Sequence, residues 1–86
     1  MDTKKLEALA TAVQVGSFTR AAEVLGYTQS GLTHMMNSLE KDIGFPLLVR
    51  SRTGIRLTAA GKRVFPLIQD LLRVDETLER EIRLIN

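Results

Sequence analysis

Eighty-six residues leave room for one small domain and a short appendage around a modest core, which excludes a two-domain enzyme. Cysteine is absent and aromatics make up 5% of the chain, so neither a disulfide framework nor a thiolate metal site can staple the fold. The net charge of +2 is unevenly placed, with nine Lys/Arg against five Asp/Glu in residues 1–63 and three against five in residues 64–86.

In chain order, Leu6, Leu9, Ala10 and Val13 follow the spacing of an amphipathic helix, predicting one over residues 3–15 that stops at Gly16. Ser17 is placed to cap a second, short helix through Phe18, Ala21, Ala22 and Leu25 to Gly26, and its alanines let another helix come close. Thr28 is the next cap. Leu32, Met35, Met36, Leu39 and Ile43 then form an apolar stripe, predicting a third helix over residues 29–42. Leu47, Leu48 and Val49, a turn at Ser51-Arg52-Thr53-Gly54, and Ile55, Arg56 and Leu57 read as a small hairpin.

Thr58 is expected to cap a fourth helix from Ala59 onward. Val64, Leu71, Leu78 and Ile85 recur every seven residues, with Ile68, Asp75 and Ile82 offset by four, which is the pattern of a coiled-coil seam interrupted at Asp75. Val64, Leu67, Ile68, Leu71, Leu78, Ile82 and Ile85 are therefore the candidate residues for pairing two copies. Pro66 lies inside this helix, where it removes a backbone bond at roughly 3 kcal/mol, and a kink over residues 62–66 is expected. A domain boundary near Thr58 would divide the chain into residues 1–58 and 59–86.

The side of the third helix opposite its apolar stripe carries Gln29, Ser30, Thr33, His34, Asn37 and Lys41, all able to donate hydrogen bonds and none acidic. Two helices joined by a tight turn at Gly26-Tyr27, the second polar on one side, match a helix-turn-helix whose second helix enters a major groove. There Gln can pair with adenine, Ser and Thr are versatile, and the Thr methyl can touch thymine, which makes Gln29, Ser30, Thr33 and His34 the candidate base readers. Ser17, Thr19, Arg20 and Thr28 surround helix starts that can take a phosphate. Asn37 and Lys41 extend the polar face. Residues 50–63 hold Arg50, Arg52, Arg56, Lys62 and Arg63 without one acid, the strongest positive stretch, suited to backbone or a narrow minor groove.

Gly16-Ser17-Phe18-Thr19-Arg20-Ala21-Ala22-Glu23-Val24-Leu25, Thr28-Gln29-Ser30, Leu39-Glu40-Lys41-Asp42-Ile43-Gly44 and Leu57-Thr58-Ala59-Ala60-Gly61 together resemble the N-terminal region of LysR-type transcriptional regulators. The resemblance runs in order along nearly the whole chain. It implies a mainly α fold, a winged helix-turn-helix of three helices and a two-stranded β-hairpin wing, followed by a long dimerisation helix. It also implies a homodimer that binds an interrupted inverted repeat in double-stranded DNA and regulates transcription. By position, the family's base-contacting segment falls on Gln29, Ser30, Thr33 and His34 and its wing on residues 50–56. The chain departs from common family residues at Ser30 (often Pro), Thr33 (Ser), His34 (Arg), Leu48-Val49 (Phe-Glu) and Thr53 (Arg), and Arg52 is the candidate replacement at the wing tip. Family members usually continue into a C-terminal domain that binds a small effector. The chain stops before it, so a truncated form is expected over a short natural one, with no cofactor in this part.

Other classes are weaker. The single histidine has no partner ligands at metal-binding spacing, and no nucleophile with an adjacent base or Gly-rich phosphate loop is present, so neither a metal site nor an enzyme is expected. No apolar run is long enough to span a bilayer, and the cytoplasm is the expected location. The alternatives are a protein-interaction module that captures a helical partner on its last helix, or another winged-helix or architectural DNA-binding protein.

Overall fold

The computed structural model describes residues 2–86. Each helix opens on a short polar side chain that the sequence supplies in front of it: Asp2 accepts from the Lys4 amide, Ser17 from Arg20, Thr28 from Gly31 and Thr58 from Gly61. Such caps satisfy amides that the helix itself leaves unpaired, at about 1 kcal/mol apiece. The elements that follow are α1 (Thr3–Val15), α2 (Phe18–Leu25), α3 (Gln29–Ile43), β1 (Leu48–Ser51), β2 (Gly54–Leu57) and α4 (Ala59–Ile85).

Leu6, Leu9 and Ala12 of α1 meet Phe18, Ala21 and Ala22 of α2, Leu32, Met36 and Leu39 of α3, and Leu47 in one buried cluster. Ala8 and Ala12 of α1 and Ala21 and Ala22 of α2 are buried at the contact, where the absence of a long side chain lets the helices approach. A polar clamp holds the far ends of α1 and α3 together: Lys5 Nζ donates to Ser38 Oγ at 2.7 Å and reaches Asp42 Oδ2 at 3.4 Å.

Antiparallel pairing of Leu48 with Leu57 and of Arg50 with Ile55 makes β1 and β2 a hairpin. It is fixed to the helices at three places. Glu40 Oε2 accepts both the Leu47 amide (2.5 Å) and the Leu48 amide (3.0 Å), closing the loop after α3. The Thr58 hydroxyl donates to the Pro46 carbonyl at 2.7 Å while accepting from Gly61, and the Thr58 amide donates to the Leu47 carbonyl. The Ile55 amide donates to the Gly16 carbonyl, tying the hairpin to the α1–α2 turn. Replacing Glu40 by Ala removes a charged acceptor shared by two amides, with an expected loss of roughly 2–3 kcal/mol. Urea denaturation of E40A checks this, with E40Q expected to keep much of the stability because its carbonyl oxygen still accepts.

The last helix differs in three respects from the sequence-based expectation, all in how its sides pack. Its helical run continues through Pro66 without interruption. Proline denies an amide only to the Lys62 carbonyl, and both residues lie at the surface where water can take its place. Ile68, expected on the pairing seam, is instead buried in the chain's own core together with Phe65, and Val64 packs half-buried against that core. The helix turns this side toward α1, so the packing of the winged domain extends past Thr58 into α4. Asp75 does not interrupt the outer side, because it is half-buried and lines, with Glu7, Thr11, Leu25 and Leu72, the groove on the α1 side of the helix. Val74 stands on the outer stripe in its place. Leu67, Leu71, Val74, Leu78, Ile82 and Ile85, spaced by three and four, are all exposed on a continuous apolar face.

Candidate nucleic-acid interface

Burial divides α3 as its sequence pattern predicts. Leu32, Met36 and Leu39 are buried, while Gln29, Ser30, His34, Asn37 and Lys41 are exposed and Thr33 is half-buried. The polar side of the helix is thus left uncovered by the chain's own packing, and the one acid beside it, Glu40, which shares a groove with Thr33, Asn37 and Arg50, is taken up by the Leu47 and Leu48 amides. Because α3 begins at the surface beside the start of α2, its first turn presents neutral polar side chains and the positive end of the helix dipole to whatever lies outside.

Neighbouring elements hold several of these side chains. Gln29 Nε2 donates to Thr19 Oγ1 at 2.7 Å, bridging the first turns of α3 and α2. Thr28 Oγ1 accepts the Gly31 amide and lies 3.2 Å from Ser30 Oγ. From β1, the Arg50 guanidinium stacks 4.1 Å from the centroid of the Phe18 ring, and its Nη1 donates to Thr33 Oγ1 at 3.4 Å. A guanidinium seated on an aromatic face keeps its remaining N–H donors free for a planar acceptor such as phosphate.

Ser17, Thr19, Arg50, Ser51 and Arg52 line one shallow groove of about 200 Å³ between the start of α2 and the hairpin. Basic and hydroxyl donors converge there without a carboxylate, the composition that a nucleic-acid backbone requires. Arg20, exposed in the first turn of α2, and the cap Thr28 sit near the same end of the two helices. Ser17, Thr19, Thr28, Gln29, Ser30, Thr33, Arg50 and Arg52 are therefore gathered on one side of the molecule. Ser51 and the Phe18 ring belong to it too, although sequence reasoning passed over both; the basic run around Ser51 was the available signal.

Arg56 is not brought to this surface. Alternation along the strands places Arg50 and Ile55 on one face of the hairpin and Val49 and Arg56 on the other, and Arg56 lines a separate groove with Val13, Leu57 and Lys62. A basic run that looks continuous in sequence is thereby split between two surfaces. Among the described residues no group of three or more His, Cys, Asp or Glu is placed to hold a metal ion, and no helix is long and apolar enough to cross a membrane.

Residues 3–62 match the family model described as a bacterial regulatory helix-turn-helix protein of the lysR family. The chain is 36% identical over 84 residues to the probable HTH-type transcriptional regulator LrrA of Synechococcus elongatus, covering 98% of this chain and 29% of that protein. It is 35% identical over 82 residues to the HTH-type transcriptional regulator HdfR of Escherichia coli, covering 95% of this chain and 29% of that protein. The chain spans less than a third of the length of both relatives. A crystal structure of a CbnR_DBD-DNA complex superposes with a TM-score of 0.88 at 30% identity, covering 99% of this chain and 98% of that one. The first three helices and the hairpin form a winged helix-turn-helix that, with α4, matches that structure, and the chain belongs to the LysR family of bacterial regulatory helix-turn-helix proteins.

Proposed function

We propose that this chain binds double-stranded DNA in a sequence-specific manner as a homodimer and thereby regulates transcription in the bacterial cytoplasm. The observation that carries this reading is the uncovered polar side of α3, flanked by Arg50 and Arg52 in one donor-lined groove without a carboxylate. In this role α3 lies in the major groove, with Gln29, Ser30, Thr33 and His34 at base edges. Ser17, Thr19, Arg20, Thr28, Asn37, Lys41, Arg50 and Arg52 contact the sugar-phosphate backbone, which sets register without reading sequence. The likeness to the CbnR_DBD-DNA complex supports this arrangement.

The exposed stripe of α4 joins two copies, so two α3 helices meet one duplex at two half-sites of an interrupted inverted repeat. No catalytic step and no small effector are assigned to these residues.

Electrophoretic mobility shifts with an inverted-repeat duplex selected from a random pool test the reading. Binding at nanomolar to micromolar chain is expected, weakening with salt by a log–log slope of about −0.9 per phosphate neutralised. Q29A is expected to relax base preference at one position in each half-site by about 1–3 kcal/mol, whereas R52A weakens binding evenly across sequences and reduces the salt slope by about one. Equal affinity for every sequence would remove the specific part of the proposal.

A further inference from the structure

The geometry points to Thr19 as a positioning residue that fixes which way the Gln29 amide faces, and so couples contact with the DNA backbone to the reading of one base. This rests on the DNA-binding reading above. A glutamine amide that turns end for end exchanges its donor and its acceptor, and an unrestrained one presents both patterns to a base. Here one Nε2 hydrogen is committed to Thr19 Oγ1 at 2.7 Å, which leaves Oε1 and the second N–H of this exposed side chain for an outside partner. That acceptor and donor together form the pair that matches N6–H and N7 of adenine.

A hydroxyl both donates and accepts, so the bond to Gln29 alone does not fix the amide. The surroundings of Thr19 supply the missing constraint. It lines the groove with Ser17, Arg50, Ser51 and Arg52, where donors converge and no acid intervenes, and its side chain is exposed at the surface of α2. When a phosphate occupies that groove, the Thr19 O–H donates to it. Only the lone pair then remains for Gln29, and the turned amide, with Oε1 against Thr19, meets no donor. Donation to phosphate also makes the hydroxyl a better acceptor. The bond already exists in the free chain, so less side-chain freedom is lost when the base is engaged.

Fluorescence anisotropy titrations separate this role from a purely structural one. The probe is the duplex this chain selects from a random pool, together with three derivatives changed in both half-sites at the base pair where Q29A loses its preference. The unsubstituted chain is expected to favour A·T there by between about fivefold and a hundredfold, the range of one bidentate contact. T19V is expected to shrink that ratio below about threefold while preferences at the other positions persist, and T19S, which keeps the hydroxyl, restores it. A T19V chain that loses affinity equally for all four duplexes would assign Thr19 to phosphate alone and overturn the inference. An undiminished preference would overturn it as well. Failure of the unsubstituted chain to select any duplex would instead overturn the DNA-binding reading itself.

Discussion

The double variant L71E/L78E is expected to remain folded, to sediment as a monomer and to lose at least about a hundredfold in affinity for a duplex carrying two half-sites. Leu71 and Leu78 are 46% and 57% exposed in the single chain. A glutamate at either position meets water in the unpaired state, and its helix propensity is close to that of leucine, so α4 survives. In a pair the same positions are apolar contacts, and carboxylates brought there lose hydration without gaining a partner. Two linked reading heads hold DNA far more tightly than one, because the second half-site binds from a high effective concentration. Analytical ultracentrifugation reports the monomer, circular dichroism the retained helices and anisotropy the affinity. A dimer that survives both substitutions would place the pairing surface elsewhere.

G54A is expected to destabilise the chain by roughly 2–5 kcal/mol, a large part of the stability of so small a domain. Two effects add. Gly54 has φ +129, a backbone conformation that side-chain-bearing residues rarely adopt, and a Cβ built there would lie 2.5 Å from the Gly16 carbonyl oxygen. The obstacle is backbone, so no rotamer change relieves it. The hairpin has to move off the α1–α2 turn, which breaks the bond from the Ile55 amide to Gly16 and draws Arg50 and Arg52 from the groove. G44A separates the two effects. Gly44 also has positive φ, +98, but nothing lies within 4 Å of its added Cβ, so only the conformational part, about 1–3 kcal/mol, applies. Equal thermal shifts for G54A and G44A would show that the close approach at Gly16 has no energetic weight.

Much of the fold could be read from the sequence because its boundaries are local. Ser17, Thr28 and Thr58 each cap the helix that they precede, and α1 and α2 occupy the expected residues, while α3 runs one residue further, to Ile43. In the hairpin, β1 starts one residue later than expected and both strands run on into the expected turn, as far as Ser51 and Gly54, since strand limits depend on which amides find partners across the turn. The polar side of α3 was legible for the same reason as its core side: both follow from helical spacing.

What escaped depends on the direction in which one element faces another. A seven-residue repeat through Val64 and a second through Ile68 fit the letters of α4, but α1 takes Phe65 and Ile68 and thereby turns Leu67, Leu71 and Val74 outward. Arg50, Arg52 and Arg56 look equivalent in a basic run, and only the pairing of the strands separates them. The two amides held by Glu40 lie seven and eight residues further along, at a corner whose geometry no local pattern specifies.

The 27 residues of α4 form one uninterrupted rod about 40 Å long, rooted at one end by Phe65 and Ile68 and bearing its apolar edge along the remainder. In the proposed pair, with the helix unbroken between root and edge, the separation of the two reading heads becomes a mechanical dimension, set like the span of a pair of calipers. One residue inserted after Leu72 advances the edge from Val74 onward by about 1.5 Å and swings it about 100° from Leu67 and Leu71, so spacing and phase change together and only in discrete steps.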